Sequence, residues 1–373
     1  MTTPIEAVRL PDPYAYYAPL VAERPFAFDP AVGAWVASDA AAVRAVLTDD
    51  ALRVRPAAEP VPAGIDGTPA GEVFGSLVRM TDGDLQRRLK AVVVDALGRV
   101  DTAHAARLAA ERTRACLTGP RPPFEELMFG VPARVVAALC GLDDGADAEA
   151  ARLIGDFVQC IPASATPEQQ QAAARAAGRL QELMGPGIER GGDGTGLLAE
   201  LVRAARRASW SRTAPLLANA VGFLSQTYDA TAGLIGNTLL ALAREGRPQG
   251  TLDSFVREVV RHDAPIQNTR RFAAEVFRYG DAELKPGEQV LVLLAAANRD
   301  PAANPDPHAF RPGRPDPAVF TFSTAAHRCP GEELAVALAG GVVGELLAAG
   351  FDPAELPAEV AYRPLANARI PVL

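Results

Sequence analysis

The chain has 373 residues, 49% of them hydrophobic, a formal net charge of −8 and four cysteines. That is enough apolar material for a large core, and the acidic balance excludes nucleic acid as an expected partner. Cys116, Cys140, Cys160 and Cys329 are too widely scattered for a disulfide framework and fit a reducing cytoplasm. Residues 1–30 lack the basic-then-apolar order of a secretory leader and contain no membrane-spanning run.

In chain order, "GAWVAS" (33–38) reads as a short strand and "DAAAVRAVLTDD" (39–50) as a helix whose Val43, Val46 and Leu47 share one face. Residues 56–76, rich in Pro and Gly, are expected as a long loop, a length usually reserved for function or mobility. A helical pattern then runs from Asp84 to Gly246, with breaks expected near 118–123, 160–167 and 185–194.

Within it, residues 214–244 are apolar almost throughout. As a membrane span they would put Asp229 at the bilayer centre, at a cost of at least about 2.5 kcal/mol, without aromatic anchors or a second span. As a soluble helix of about 30 residues they would extend about 45 Å. A globule of this size has a radius of gyration of about 21 Å, so such a helix must cross the interior. A helix apolar all round is a buried one. Its middle turn nevertheless carries Gln226, Thr227, Asp229 and Thr231, and buried polar groups need partners or a function.

After Pro265 the pattern turns strand-like, with "EQVLVLLAAAN" (288–298) the best strand, and a last helix follows over 331–350, with Gly350 as its stop signal. No internal repeat or linker interrupts the chain, so 1–373 is expected to be a single domain. The fold class is mainly α with small β-sheets.

The sharpest chemical signal is "FTFSTAAHRCPGEELAVAL" (320–338). Cys329 stands just ahead of a helix whose first turn holds Glu332 and Glu333, with His327 and Arg328 beside it. A cysteine at a helix N-terminus next to positive charge is readily a thiolate. A thiolate is the ligand that pushes electron density into heme iron and favours O–O cleavage. Cys140, in "VVAALCGL", reads instead as a small buried hydrophobe.

"FSTAAHRCPG" (322–331) resembles the heme-ligand loop of the cytochrome P-450 family of heme-thiolate monooxygenases, with Phe322, His327, Cys329 and Gly331 in register. Ser323 and Ala325 stand where glycines are usual, so Ala325 must tolerate a bend that glycine makes easily. Three further segments match in order. "REVVRHDAPIQNTRR" (257–271) supplies Glu258 and Arg261 as the family's Glu-x-x-Arg pair, which face each other on a helix, and Arg271 at the position that binds a heme propionate. "AAANRDPAANPDPHAFRPGR" (295–314) supplies Arg314, which would complete a network with Glu258 and Arg261. "VRAVLTDDALRVRP" (43–56) and "FGVPARVVAALCGLDD" (129–144) are also similar. The resemblance implies the cytochrome P-450 fold, with a long central helix over heme b, Cys329 as the iron ligand, and oxidation of a small organic substrate with O2.

The same resemblance aligns the central turn. Asp229 falls on the family's acid, Ala230 on its threonine, and Gln226 and Thr227 on its Ala-Gly pair. That threonine normally helps deliver protons, and alanine donates nothing. Thr231 lies about 100° round the helix and is a poor substitute. Gln226 shares a face with Ala230 and offers an amide, or orders a water, unless it only satisfies local backbone. Gln226, Asp229 and Ala230 are thus the expected catalytic positions. With the hydroxyl lost, the alternatives are ordinary hydroxylation with protons relayed by substrate or water, and hydrogen abstraction followed by radical coupling, as in cross-linking of a peptide or aromatic natural product. A non-catalytic heme-thiolate protein that presents a substrate to another enzyme is the competing class.

On the proximal side, "MTDGDLQRRLKAVVVDAL" (80–97) resembles the helix whose His and Arg hold a propionate, with Gln86 and Lys90 in their places. Lys90 keeps the charge but not the bidentate fork. Arg87, Arg88, Lys90 and Arg328 form an expected basic patch for an acidic ferredoxin, since no flavin or nicotinamide motif is present. His104, His262 and His308 lack metal-ligand spacing. By family analogy, 265–268 and a hairpin around 362–368 wall the substrate pocket, and 56–76 and 160–194 are candidate gates.

Overall fold

The computed structural model describes residues 2–119 and 122–373. Its helices are α1 (Tyr14–Glu23), α2 (Ala40–Thr48), α3 (Pro69–Ser76), α4 (Gly83–Leu97), α5 (Thr102–Cys116), α6 (Val131–Leu139), α7 (Asp144–Val158), α8 (Pro167–Glu189), α9 (Leu197–Arg207), α10 (Thr213–Glu245), α11 (Leu252–His262), α12 (Leu294–Asn298) and α13 (Glu332–Ala348). The strands are β1 (Phe26–Asp29), β2 (Ala34–Ala37), β3 (Leu52–Arg53), β4 (Thr269–Ala273), β5 (Phe277–Tyr279), β6 (Ala282–Leu284) and β7 (Gln289–Val292). The mainly helical class with small sheets is what the sequence implied. None of the described helices is long and apolar enough to cross a membrane.

Contacts divide the chain into two units. The first gathers residues 1–57, 232–329 and 346–373. It holds a five-stranded sheet in the order β1-β2-β7-β4-β3, with β2 and β7 parallel and the other pairs antiparallel. Helix α2 covers this sheet. Val43, Val46 and Leu47, the face read from their spacing, are buried with Leu52, Val290 and Val292. Asp39 caps α2 by accepting from the Ala42 N–H at 2.7 Å, and the adjacent Ala40 N–H donates to Asp300 at 2.9 Å.

The second unit gathers residues 58–231 and 330–345. It is a helical assembly in which α7 packs on α6 and α8, α4 on α9, and α3 on α8. Helix α13 lies against α5 so closely that a Cβ on Gly341 would come within 2.4 Å of the Ala106 carbonyl oxygen. Arg114 ties the pair with two bonds to Glu345, at 2.8 and 2.7 Å.

The central helix of about 30 residues is α10, with 33 residues. Three expectations need correction. The 56–76 loop ends in helix α3, because Thr68 caps it and Pro69 occupies the first turn, while Ala70, Val73 and Phe74 find burial. The strand at 288–298 stops at Val292; the Leu293 N–H makes the last bond to Ala37, and the alanine run beyond closes into α12. The break at 185–194 starts late, since α8 continues through Pro186 to Glu189, so the candidate gate 160–194 is mostly helix. The break at 118–123 includes Pro120 and Arg121, which lie outside the described residues.

Candidate active site

The cysteine loop belongs to the first unit. Ser323 and Ala325 both adopt the left-handed conformation, at φ +59° and +51°. An L-residue held there costs about 1–2 kcal/mol, so the surroundings must enforce it. They do so with the Ser323 N–H bonded to the Phe320 carbonyl and the Cys329 N–H bonded to that of Phe322, both at 2.7 Å. Residues 325–327 form one 3-10 turn, and Pro330 and Gly331 separate Cys329 from the start of α13. The bend expected at Ala325 is therefore made without glycine. Ser323 Oγ is buried and has no hydrogen-bond partner.

A buried network sets the base of this loop. Arg261 is fully buried and grips Glu258 in a bidentate pair, Nη2 to Oε1 at 2.6 Å and Nε to Oε2 at 2.9 Å. Arg314 Nε joins Glu258 at 3.1 Å, so the three charged residues that the resemblance brought together do meet. Burial pushes the Glu258 pKa up, but the bonds from Arg261, the Arg311 N–H and Arg314 outweigh it and leave the carboxyl below its ordinary range. Arg261 also donates to the carbonyls of Asn298 and Pro307, at 3.2 and 2.9 Å. The Asn298 side chain in turn accepts from the Phe320 N–H at 2.6 Å and donates to Thr321 Oγ1 at 2.8 Å. Thr321 closes the circuit by donating to the Val260 carbonyl of α11 at 2.8 Å. Sequence reasoning named the ion pairs but missed Asn298 and Thr321, which carry the constraint into the loop; their signal was a lone polar residue inside each apolar run, "LAAAN" and "VFTF".

Arg271 is buried on β4, where its Nη1 bonds the Arg270 carbonyl at 2.8 Å. The segment 265–268 lies along the C-terminal segment: Ile266 bridges Ala368, and Asn268 donates to the Ala366 carbonyl at 2.8 Å. Tyr362 bridges Pro371, so the hairpin read near 362–368 is present.

The second unit carries the polar turn of α10. Residues 226–230 form a half-buried island in a helix that is buried from Ala218 to Ser225 and again at Thr231. Gln226 donates its amide to the Gly222 carbonyl at 3.2 Å, and Thr227 Oγ1 donates to that of Phe223 at 2.7 Å. Both thus satisfy local backbone. Thr231 Oγ1 is buried without a partner. Tyr228 packs on Phe129, ring centroids 4.9 Å apart, and Phe129 comes from a π-helical turn, Glu126–Gly130, a form frequent at functional sites.

The same unit presents a residue that sequence reasoning did not name. Arg79 stands in "LVRM", a lone charge in an apolar run, and its Nε is buried with no hydrogen-bond partner. Burial lowers its pKa, opposed by the charge of Asp229. Gln86, buried in α4, donates to the Val78 carbonyl at 3.4 Å; Lys90 is half-buried one turn on. Arg87 pairs with exposed Asp84, and Arg88 lies over the Trp210 ring, 5.8 Å from its centroid. Of the other cysteines, burial pushes Cys140 up to about 12 and Cys160 up to about 11, which keeps both as thiols.

A cysteine loop bent without glycine and braced by a buried charge network fits the heme-ligand loop that the sequence resembles. Comparison with known proteins agrees. The profile of the family described as Cytochrome P450 matches residues 251–347. The chain is 30% identical to Cytochrome P450 107B1 of Saccharopolyspora erythraea over 235 residues, 60% of this chain and 56% of that protein. It therefore spans just over half the length of that relative. It is 28% identical to the Cytochrome P-450 monooxygenase DoxA of Streptomyces peucetius subsp. caesius over 360 residues, 84% of this chain and 80% of that protein. The fold matches P450BioI in complex with an acyl carrier protein ligated to hexadec-9Z-enoic acid, with TM-score 0.81, 21% identity and 96% of both chains covered. It also matches CalO2, with TM-score 0.80, 23% identity and coverage of 96% of this chain and 94% of that one.

Proposed function

This chain is a member of the cytochrome P450 family, and we propose that it is a heme-thiolate oxidoreductase acting on a small organic molecule of bacterial specialised metabolism. The observation that carries this reading is the cysteine loop, in which Ser323 and Ala325 hold the left-handed backbone that glycines usually supply. A fold keeps such strain where function needs the geometry. The name of DoxA, a monooxygenase, supports the reaction class.

Heme b, when bound, supplies activation of O2 with electrons from a ferredoxin-type partner. Cys329 would ligate the iron as thiolate, with His327, Phe322 and Gly331 shaping the loop around it. Arg271, Gln86 and Lys90 would hold the propionates. On this reading residues 1–373 work as a single catalytic domain, in the cytoplasm. At the substrate side, Ala230 offers no hydroxyl and the Gln226 amide is already committed to Gly222. Asp229 is left as the residue of that turn able to take up and release a proton, at a carboxylate oxygen, and a water or the substrate itself must complete the relay.

Turnover with a surrogate ferredoxin and reductase, or with peroxide, tests this reading by the mass of the product. A gain of one oxygen supports hydroxylation. A loss of two hydrogens supports coupling of two substrate positions, which leaves the missing hydroxyl without consequence. Heme binding without turnover under either electron supply would contradict the catalytic reading and favour a protein that presents its substrate to another enzyme.

A further inference from the structure

We propose that Arg299 is a positioning residue of the cysteine loop and that acid releases its hold, through protonation of His262 or His308. The inference rests on the heme-thiolate reading and adds a pH-dependent control of the loop that carries Cys329.

Two adjacent side chains at the end of α12 reach different elements. Asn298 reaches the cysteine loop, accepting from the Phe320 N–H at 2.6 Å and donating to Thr321 Oγ1 at 2.8 Å. Arg299 reaches the end of α11. Its Nε donates to the His262 carbonyl at 2.9 Å and its Nη2 bonds the same oxygen, one of those a helix leaves open at its C-terminus. The guanidinium also lies over the Tyr14 ring, 3.6 Å from the centroid. Where Arg299 is held therefore sets where Asn298 meets the loop.

Two imidazoles complete the hold. Arg299 Nη2 is 3.1 Å from His262 Nδ1, and Nη1 is 3.4 Å from His308 Nδ1. A guanidinium only donates, so both Nδ1 atoms are acceptors and each ring carries its proton on Nε2. For His262 that proton faces the His308 carbonyl, 2.9 Å away. The carbonyls on either side, of Pro307 and Ala309, accept from Arg261 at 2.9 and 3.2 Å. One guanidinium thus fixes both tautomers, and the segment 307–309 is fastened to α11.

Protonating either ring at Nδ1 sets an N–H against an N–H and a second positive charge beside the first. The surrounding groups do not offset this. Arg261 adds to the repulsion, and Asp263 is already paired with Arg369 and Arg244, at 3.0 and 3.2 Å. Burial keeps Tyr14 a neutral phenol. Asp12 favours a charged His308 but is outweighed. Burial, and then the charge of Arg299, hold His262 at about 4 and lower His308 as well. Once the hold opens, both rings return to about 6.5. Opening therefore takes up protons below about pH 6.5 and none above it, rising by up to about tenfold per pH unit for each proton.

The test follows heme transfer from the loaded protein to excess apomyoglobin between about pH 7.5 and about pH 5. The expected rate is flat above about pH 6.5 and quickens below it, by up to about tenfold per unit. In H308N an amide oxygen still accepts from Arg299 but does not titrate, so the rise is smaller. In H262Q/H308N the rate at about pH 5 stays within about twofold of the neutral value. R299Q loses heme readily at neutral pH, with little further effect of acid. The control H104Q, an exposed ring on α5, keeps the original profile. A profile unchanged in H262Q/H308N, or an R299Q that keeps heme as firmly as the parent, would overturn the assignment; the first outcome would leave His327 or a carboxylate as the sensor. Carbon monoxide spectra of the same reduced samples separate the two readings. A thiolate-type band at neutral pH with an unchanged acid profile sinks the Arg299 assignment alone, whereas no such band sinks the heme-thiolate reading and this inference with it.

Discussion

Ser323 and Ala325 sit in a backbone region where each side chain costs about 1–2 kcal/mol. Replacing either by glycine removes that strain but gives the unfolded chain more freedom, worth about 0.4–1 kcal/mol in the other direction. S323G and A325G should therefore each stabilise the protein by about 0.5–1 kcal/mol, seen as a higher denaturant midpoint at unchanged slope. His262 makes a second prediction. Burial, and then the charge of Arg299, lower its pKa to about 4, against the bond to the His308 carbonyl that raises it. Between pH 6.5 and about 4 the unfolded chain takes up a proton that the native state refuses. Stability should fall as pH falls through that window and be flat in this respect above it. H262Q should remove about one proton's worth of that slope in a series of melts. The individual chemistry was largely legible in the sequence. Cys329 declared itself by its charged helix-entry context, and Glu258, Arg261 and Arg314 by the resemblance of ordered motifs, whereas Asn298 and Thr321 did not, because nothing local says which polar residue in an apolar run will brace a loop elsewhere in the chain.

Helices α11 and α12 and the cysteine loop are joined by one chain of bonds, from Glu258 through Arg261 to Asn298 and on to Phe320 and Thr321. N298A leaves the buried Phe320 N–H without its acceptor, at a cost of about 2–3 kcal/mol. The helix content by circular dichroism should stay near native while the loop loosens and heme is lost more readily. At the α5–α13 crossing, Gly341 admits the Ala106 backbone where any larger residue collides with it. G341L should destabilise by about 3 kcal/mol, read as a lower melting temperature. Element boundaries were less legible than elements. Helix α3 was hidden by its Pro and Gly content, although Thr68 and Pro69 form an N-terminal signal. Helix α12 was absorbed into a strand because alanine and valine are equally apolar. Helix α8 outlasted a Gly-Pro-Gly stretch that sequence reasoning took for its end.

At the scale of the whole molecule, the residues that the resemblance joins lie on distant stretches of the chain. The first unit holds Cys329 and its bracing network, the second holds Asp229, and the chain passes from one unit to the other more than once. That return is why the cysteine, near residue 330, and the polar turn, a hundred residues earlier, had to be joined by resemblance. Composition and periodicity reach the helical class and the buried central helix, and go no further. The account stands or falls on Cys329 as the axial ligand. Purified protein, reduced and exposed to carbon monoxide, should show the long-wavelength Soret band of thiolate-ligated ferrous heme, and C329S should abolish it. A histidine-type spectrum, or a thiolate-type band that survives in C329S, would contradict it.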